Sequence, residues 1–178
     1  MGHPPGAVWL PATGYAPLAD EVEHVAAWHG APPSALAAVL RGAPPARPAQ
    51  LAAIAWVFDA GASRLLLVRH RTFGWSCPGG HVEDGEHPAD AAARELAEEC
   101  GLVLAPDHRR PITVTCAAAP ADADGPGHDH WLLGFRFTAS PDADLVPERD
   151  PVAWHRRDAL PHPFPDDLEP LLERLADR

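Results

Sequence analysis

The stretch from Cys77 to Leu104, CPGGHVEDGEHPADAAARELAEECGLVL, constrains this chain more than any other. It crowds Glu95, Glu98 and Glu99 into what reads as one turn of a helix, predicted from about His87 to Cys100. Pro88 fits the first turn, where a missing N–H leaves nothing unsatisfied. Gly101 fits the position just past the end. At roughly 100° per residue, Ala93, Leu96, Ala97 and Cys100 fall on one side of such a helix. They form a stripe of small apolar residues suited to close packing on a sheet, and the three glutamates fall opposite.

The crowding is unfavourable on two counts. Like charges three or four residues apart destabilise a helix by about 0.2–0.5 kcal/mol per pair. Carboxylates in the last turn also oppose the helix dipole. A solvated acidic face is the ordinary reading of such a run, but an arrangement wrong on both counts points to an outside stabiliser. A divalent cation is the obvious one, and oxygen-only ligands favour Mg²⁺, Mn²⁺ or Ca²⁺ over zinc. In the loop ahead, Gly79, Gly80 and Gly85 let the backbone turn sharply and come close to a ligand. Glu83 and Glu86 add carboxylates, and Arg94 can hold one of the cluster in place. Such a loop suits a pyrophosphate if Mg²⁺ bridges it to the acids.

The remaining composition sets the frame. A chain of 178 residues with 46% hydrophobic content suits one domain with a real core and a small appendage. No apolar run approaches the roughly 18 residues of a membrane span, and the start MGHPPGAVWLPATG lacks the pattern of a secretory signal. Cys77, Cys100 and Cys116 are odd in number and widely spaced, so neither a disulfide framework nor a zinc knuckle is expected, and a reduced cytoplasmic setting is. The net charge is -11, and all 14 basic residues are arginine. That balance disfavours a nucleic-acid polymer as partner, since its backbone calls for a basic stripe. Small phosphorylated ligands stay open, because a bound metal reverses the local charge.

Along the chain, residues 1–16 read as a loose arm rich in proline and glycine. PLADEVEHVAAWHG and PPSALAAVLRG read as two short helices, and APPARPAQ as a linker. Residues 1–49 are therefore expected to be a helical N-terminal extension, serving as a packing element or a homodimer contact. From residue 50 the pattern changes. LAAIAWVFD, RLLLVRHR, PITVTCAAA, HWLLGFRFTA and DPVAWHRRDAL read as strands, and PDDLEPLLERLADR as a closing amphipathic helix. Strands interleaved with helices imply an α/β domain with a mixed sheet.

The motif resembles the box of the Nudix hydrolases, G-x5-E-x7-R-E-U-x-E-E-x-G-U, where U is bulky and aliphatic. Gly80, Glu86, Arg94, Glu95, Leu96, Glu98, Glu99, Gly101 and Leu102 fill every fixed position at the required spacing. The resemblance implies a Nudix-type α/β/α sandwich over residues 50–178. It also implies hydrolysis of a nucleoside diphosphate linked to another moiety, such as a dNTP, an oxidised dNTP or a nucleotide sugar, by water attack at phosphorus. The cofactor would be Mg²⁺ or Mn²⁺, with Glu95, Glu98, Glu99 and the Gly79 carbonyl as metal ligands. Arg94 would orient Glu95, Glu86 would assist, and Glu95 or Glu99 would serve as general base. A nucleotide-sensing module that kept the box without catalysis is the alternative. An isoprenyl diphosphate isomerase on the same fold would call for a tyrosine–glutamate pair late in the chain, whereas the only tyrosine is Tyr15.

Substrate contacts are expected from Arg69 and Arg71, which alternate along a strand, and from the loop aromatics Phe73 and Trp75. His128 and His130 match part of an H-x-H-x-D stretch found in some bacterial relatives, with Leu132 where the aspartate would stand. Glu148 matches a downstream acid able to approach the metal cluster. The segment 119–130 reads as a lid or selectivity loop.

Overall fold

The computed structural model describes residues 9–10, 12, 14–71, 74–119, 127–166 and 168–175. Among these residues, nine strands form one mixed sheet. They are β1 (Trp9–Leu10), β2 (Ala27–His29), β3 (Ala49–Phe58), β4 (Arg64–His70), β5 (Gly74–Ser76), β6 (Gly79–His81), β7 (Thr113–Ala119), β8 (His128–Thr138) and β9 (Val152–Arg156). The helices are α1 (Leu18–Glu23), α2 (Pro33–Leu40), α3 (Pro88–Cys100) and α4 (Glu169–Leu175).

β3 organises the sheet. All ten of its residues are buried, as a continuous apolar run requires of a strand covered on both faces. Strand alternation sorts them. Leu51, Ala53, Ala55 and Val57 join one core with Leu18 and Val22 of α1, Leu36 of α2 and Leu96 of α3. Ile54, Trp56 and Phe58 join the other with Leu65 and Leu67 of β4 and Leu171, Leu172 and Leu175 of α4. Three helices on one face and one on the other make an α/β/α sandwich. β8 runs parallel to β3 along its whole length. The opposite edge of β3 is shared by β1 at Ala49–Gln50, β6 at Ala52–Ile54 and β4 at Phe58.

The N-terminal segment departs from the helical expectation. α1 stops at Glu23, with Val25 N–H bonded to Val22 O at 3.0 Å. Ala27–His29, read from the sequence as its continuation, pairs parallel with β7. Trp28 is β-prone and lies in a short apolar run bounded by Gly30, so an open sheet edge outcompetes a marginal last helical turn. Trp9–Leu10, within the expected loose arm, pairs with Ala49–Gln50, the end of the expected linker. No helix among the described residues is long and apolar enough to cross a membrane.

α3 forms as the sequence predicts. The His87 side chain caps it by accepting from Ala89 N–H at 3.1 Å, Pro88 opens it, and Gly101 closes it at φ 73°. Its buried face is rotated from the expected one. Pro88, Ala89, Ala91, Ala92, Leu96 and Cys100 are buried, whereas Ala93 is only partly buried and Ala97 lies at the edge. Leu96 is fully buried, and cutting it to alanine would cost about 2–5 kcal/mol.

Candidate active site

The carboxylates stand where α3 meets β6. Within β6, Gly80 pairs with Ala53 while Pro78 O accepts from Ala55 N–H at 2.8 Å and Leu51 O accepts from Val82 N–H at 3.0 Å. Antiparallel alternation therefore turns the backbone of Gly79 and His81 away from β3 and toward α3. Both are used there. Gly79 N–H donates to Glu99 Oε2 at 3.0 Å, and His81 O accepts from Arg94 Nη2 at 3.1 Å. The Gly79 carbonyl leaves on the same edge. Gly79 packs so closely on Ala53 and Ile54 that a Cβ would collide with them, and a Cβ on Gly80 would run into the Glu95 carboxylate.

Arg94 ties the cluster together. Its guanidinium grips Glu86 with two bonds, Nε to Oε1 at 3.0 Å and Nη2 to Oε2 at 3.2 Å. Nη1 reaches Glu95 Oε1 at 2.8 Å and Glu98 Oε2 at 3.3 Å. Glu95 and Glu99 are largely shielded, while Glu98 is half exposed. Burial pushes the Glu99 carboxyl up to about 7, against the Gly79 N–H, with the charges of Glu95 and Asp150 adding to the rise. Burial also raises Glu95, although Arg94 holds it back.

Glu95, Glu98, Glu99, Glu148, Arg149, Asp150 and Val68 line a single cavity of about 270 Å³. Glu148 thus shares this cavity with the three box glutamates and is paired with Arg149 at 3.0 Å. Asp150 and His70, whose Nε2 lies 3.9 Å from Glu99 Oε1, were not foreseen, since neither belongs to the box. The acidic groups offer only oxygen donors, and Glu95 and Glu99 are largely shielded from solvent, which fits a hard divalent cation. Among the described residues, no three His, Cys, Asp or Glu side chains are gathered closely enough to hold one as they stand. Glu95 and Glu98 share the Arg94 guanidinium instead.

A second cavity, of about 580 Å³, opens on the other side of β6. Gly79, Gly80, His70, His81 and His130 line it together with Ile54, Cys77, Leu132 and Leu168. Behind its rim, Gln50 Oε1 sits 2.9 Å from His81 Nε2 and 3.0 Å from His130 Nε2. His130 Nε2 is 2.7 Å from His128 Nε2, and the His128 ring packs on Trp9. Burial first, then the neighbouring imidazoles, lower His130 to about 4, so it is neutral at physiological pH. Gln50 is buried and its Nε2 has no partner. A polar residue at the second position of an otherwise apolar strand was the available signal for it. A still larger cavity, about 610 Å³ between α1, residues 108–112 and α4, contains none of the box residues.

The remaining expected contacts divide. Arg69, Arg71 and Trp75 line one further cavity with Arg149 and Asp150. Arg71 lies one residue past the end of β4, so strand alternation is not what brings it beside Arg69. Trp75 packs edge-on against His155. Phe73 lies outside the described residues, as does 120–126 of the expected lid.

A NUDIX domain family model matches residues 48–175. Two curated proteins are similar over shorter stretches. A Myxococcus xanthus octanoyltransferase is 37% identical over 100 residues, covering 52% of this chain and 26% of that protein. A CMP-5'-(N-acetyl-N-hydroxy-3-aminopropyl)phosphonate hydrolase from Streptomyces rubellomurinus is 48% identical over 54 residues, covering 28% and 26%. The chain thus spans about a quarter of the length of the curated relatives it matches. Among solved structures, a MutT protein from Methanosarcina mazei Go1 superposes with a TM-score of 0.55 at 18% identity, covering 75% of this chain and 97% of that one. The E. coli ORF135 protein superposes at 0.51 and 22%, covering 72% and 89%. These two likenesses speak to the fold.

Proposed function

Since this chain belongs to the Nudix hydrolase family, we propose that it is a divalent-metal-dependent pyrophosphohydrolase acting on a nucleoside diphosphate linked to another moiety. Candidates are a dNTP, an oxidised dNTP and a nucleotide sugar. One observation carries the reading: Glu95, Glu98 and Glu99 face one cavity while Arg94 and the Gly79 N–H fix their orientation. The hydrolase from Streptomyces rubellomurinus, named for a CMP conjugate, supports a nucleotide-linked substrate.

Glu95, Glu98, Glu99 and the Gly79 carbonyl would hold Mg²⁺ or Mn²⁺, which when bound supplies charge neutralisation to the diphosphate. Arg94 keeps Glu95 in place and favours its charged form against the pull of burial. The base is Glu95 or Glu99, whichever carboxylate the bound metal leaves free to take the proton. Water attacks phosphorus, its proton passes to that carboxylate, and the P–O bond to the leaving phosphate breaks. The histidine-lined cavity suits the nucleoside or the linked group. His81 and His130 line it and Gln50 stands behind them, all uncharged near neutral pH, and this favours a neutral hydrogen-bonding edge over a further phosphate.

The test is phosphate release from a panel of nucleoside diphosphate derivatives with Mg²⁺, wild type against Glu98→Gln. Turnover of at least one nucleotide, cut about tenfold or more in the variant, is expected. Equal release by both would sink the assignment. Tight nucleotide binding without turnover would make the protein a nucleotide-sensing module instead.

A further inference from the structure

Tyr15 lies outside the residues matched by the family model, yet it touches the loop that feeds the carboxylate helix. Its ring is buried in the core beneath α1 and α3. Its hydroxyl lies 3.0 Å from Glu86 O and 3.2 Å from Glu83 O. A phenol has one proton to donate, so the two carbonyls share it across a turn that is closed by Glu86 N–H to Glu83 O at 3.0 Å. Burial, then the Asp84 and Glu86 carboxylates, push the phenol above its ordinary value, so it remains a donor at neutral pH. The same turn carries Gly85 at φ 78° and the Glu86 carboxylate, which accepts from Glu83 N–H at 3.1 Å and clasps Arg94 twice.

We infer that Tyr15 is a positioning residue for the active site: its hydroxyl pins the Glu83–Glu86 turn, and through Glu86 and Arg94 it sets the place of Glu95. The chain of contacts is continuous from Tyr15 OH through the Glu86 backbone and carboxylate to the Arg94 guanidinium and Glu95 Oε1. The N-terminal segment thereby completes the site, because the turn has this anchor only when that segment is docked. The last link rests on the metal reading proposed above, whereas the pinning of the turn does not.

Tyr15→Phe keeps the buried ring and removes only the donor. Two measurements on the full-length protein separate the links. Without metal, backbone hydrogen exchange of residues 83–87 should quicken about fivefold, the equivalent of one hydrogen bond of about 1 kcal/mol, with β3 and the centre of α3 unchanged. Mn²⁺ binding, read from the signal of free Mn²⁺ by electron paramagnetic resonance, should weaken by a similar factor. Unchanged exchange in the turn overturns the inference. So does acceleration spread evenly over the whole domain, which would mark a purely structural role. Local acceleration with unaltered Mn²⁺ affinity overturns the link to Glu95. A wild-type protein that binds no Mn²⁺ would count against the proposed function, while the exchange result would still decide the pin.

Discussion

Two cavities flank the strand Gly79–His81, and they are built in opposite ways. The acidic one draws its box carboxylates from α3, five residues of one helix, with a glycine strand behind them and the Glu148–Asp150 loop in front. The histidine-lined one gathers residues from β3, β4, β5, β6, β7, β8 and the segment before α4. Both surround shielded groups that burial holds toward the uncharged form, by raising a carboxyl in one and lowering an imidazole in the other. Around Glu99, burial holds back a charge that a cation would restore. Around His130, burial keeps an imidazole neutral. On the proposed function, the first cavity would serve a fixed chemistry and the second a choice of ligand. Local sequence can encode the former as a rigid spacing, whereas the latter depends on which distant strands happen to be neighbours.

Three experiments would break or sharpen that contrast. The largest effect belongs to Glu99→Gln, which removes a proposed metal ligand and one of the two candidate bases. A loss of about 10³-fold in kcat/KM is expected, with the unreacted nucleotide still bound. A loss below about tenfold would move the base to Glu95.

Next comes the pH dependence of the metal-free protein. Glu99 titrates near 7 when folded and near 4.5 in an ordinary environment, so the folded state holds the proton more tightly. Its contribution to stability is full below about 4.5 and is lost as pH rises through about 7, by up to roughly 3 kcal/mol. The stability of wild type minus that of Glu99→Gln, from denaturant titrations between pH 4.5 and 8, should therefore fall as pH rises. Mg²⁺ should flatten that fall. A difference that does not change with pH would mean that Glu99 is not desolvated. The His130 side runs the other way, since its depressed value makes acid destabilising as pH falls below about 6.5.

The smallest effect is expected from His130→Ala. KM for the preferred nucleotide should rise about tenfold, or about 1.4 kcal/mol, and discrimination among nucleotides should shrink. Mn²⁺ affinity should not move. A matching loss of Mn²⁺ affinity would show that the two cavities act as one.

The helix that carries the acids could be read directly. Pro88, Gly101 and the apolar period define its ends, and the spacing from Gly80 to Leu102 defines its family. Leu96 and Cys100 were rightly expected inside. Ala93 and Ala97 were not as deep as expected, because α3 rests with Ala89, Ala91 and Ala92 inside, and periodicity leaves that rotation open. β3, β4, β7, β8 and β9 could be read because their apolar runs have few alternatives, whereas β5 and β6, three residues each in a glycine-bearing stretch read as loop, form only where β4 and β3 offer them an edge. β2 could not, because Ala27–His29 becomes a strand only when β7 offers it an edge.

Local order was sufficient to specify the acids, the glycines beside them and the arginine between them, since helical pitch and backbone alternation set those distances within about twenty residues. The meeting of Gln50, His81 and His130, and the reach of Tyr15 to the Glu83–Glu86 turn 68 and 71 residues away, belong to the folded sheet. Such contacts join residues whose separation along the chain bears no relation to their distance in space, so no period in the sequence can encode them.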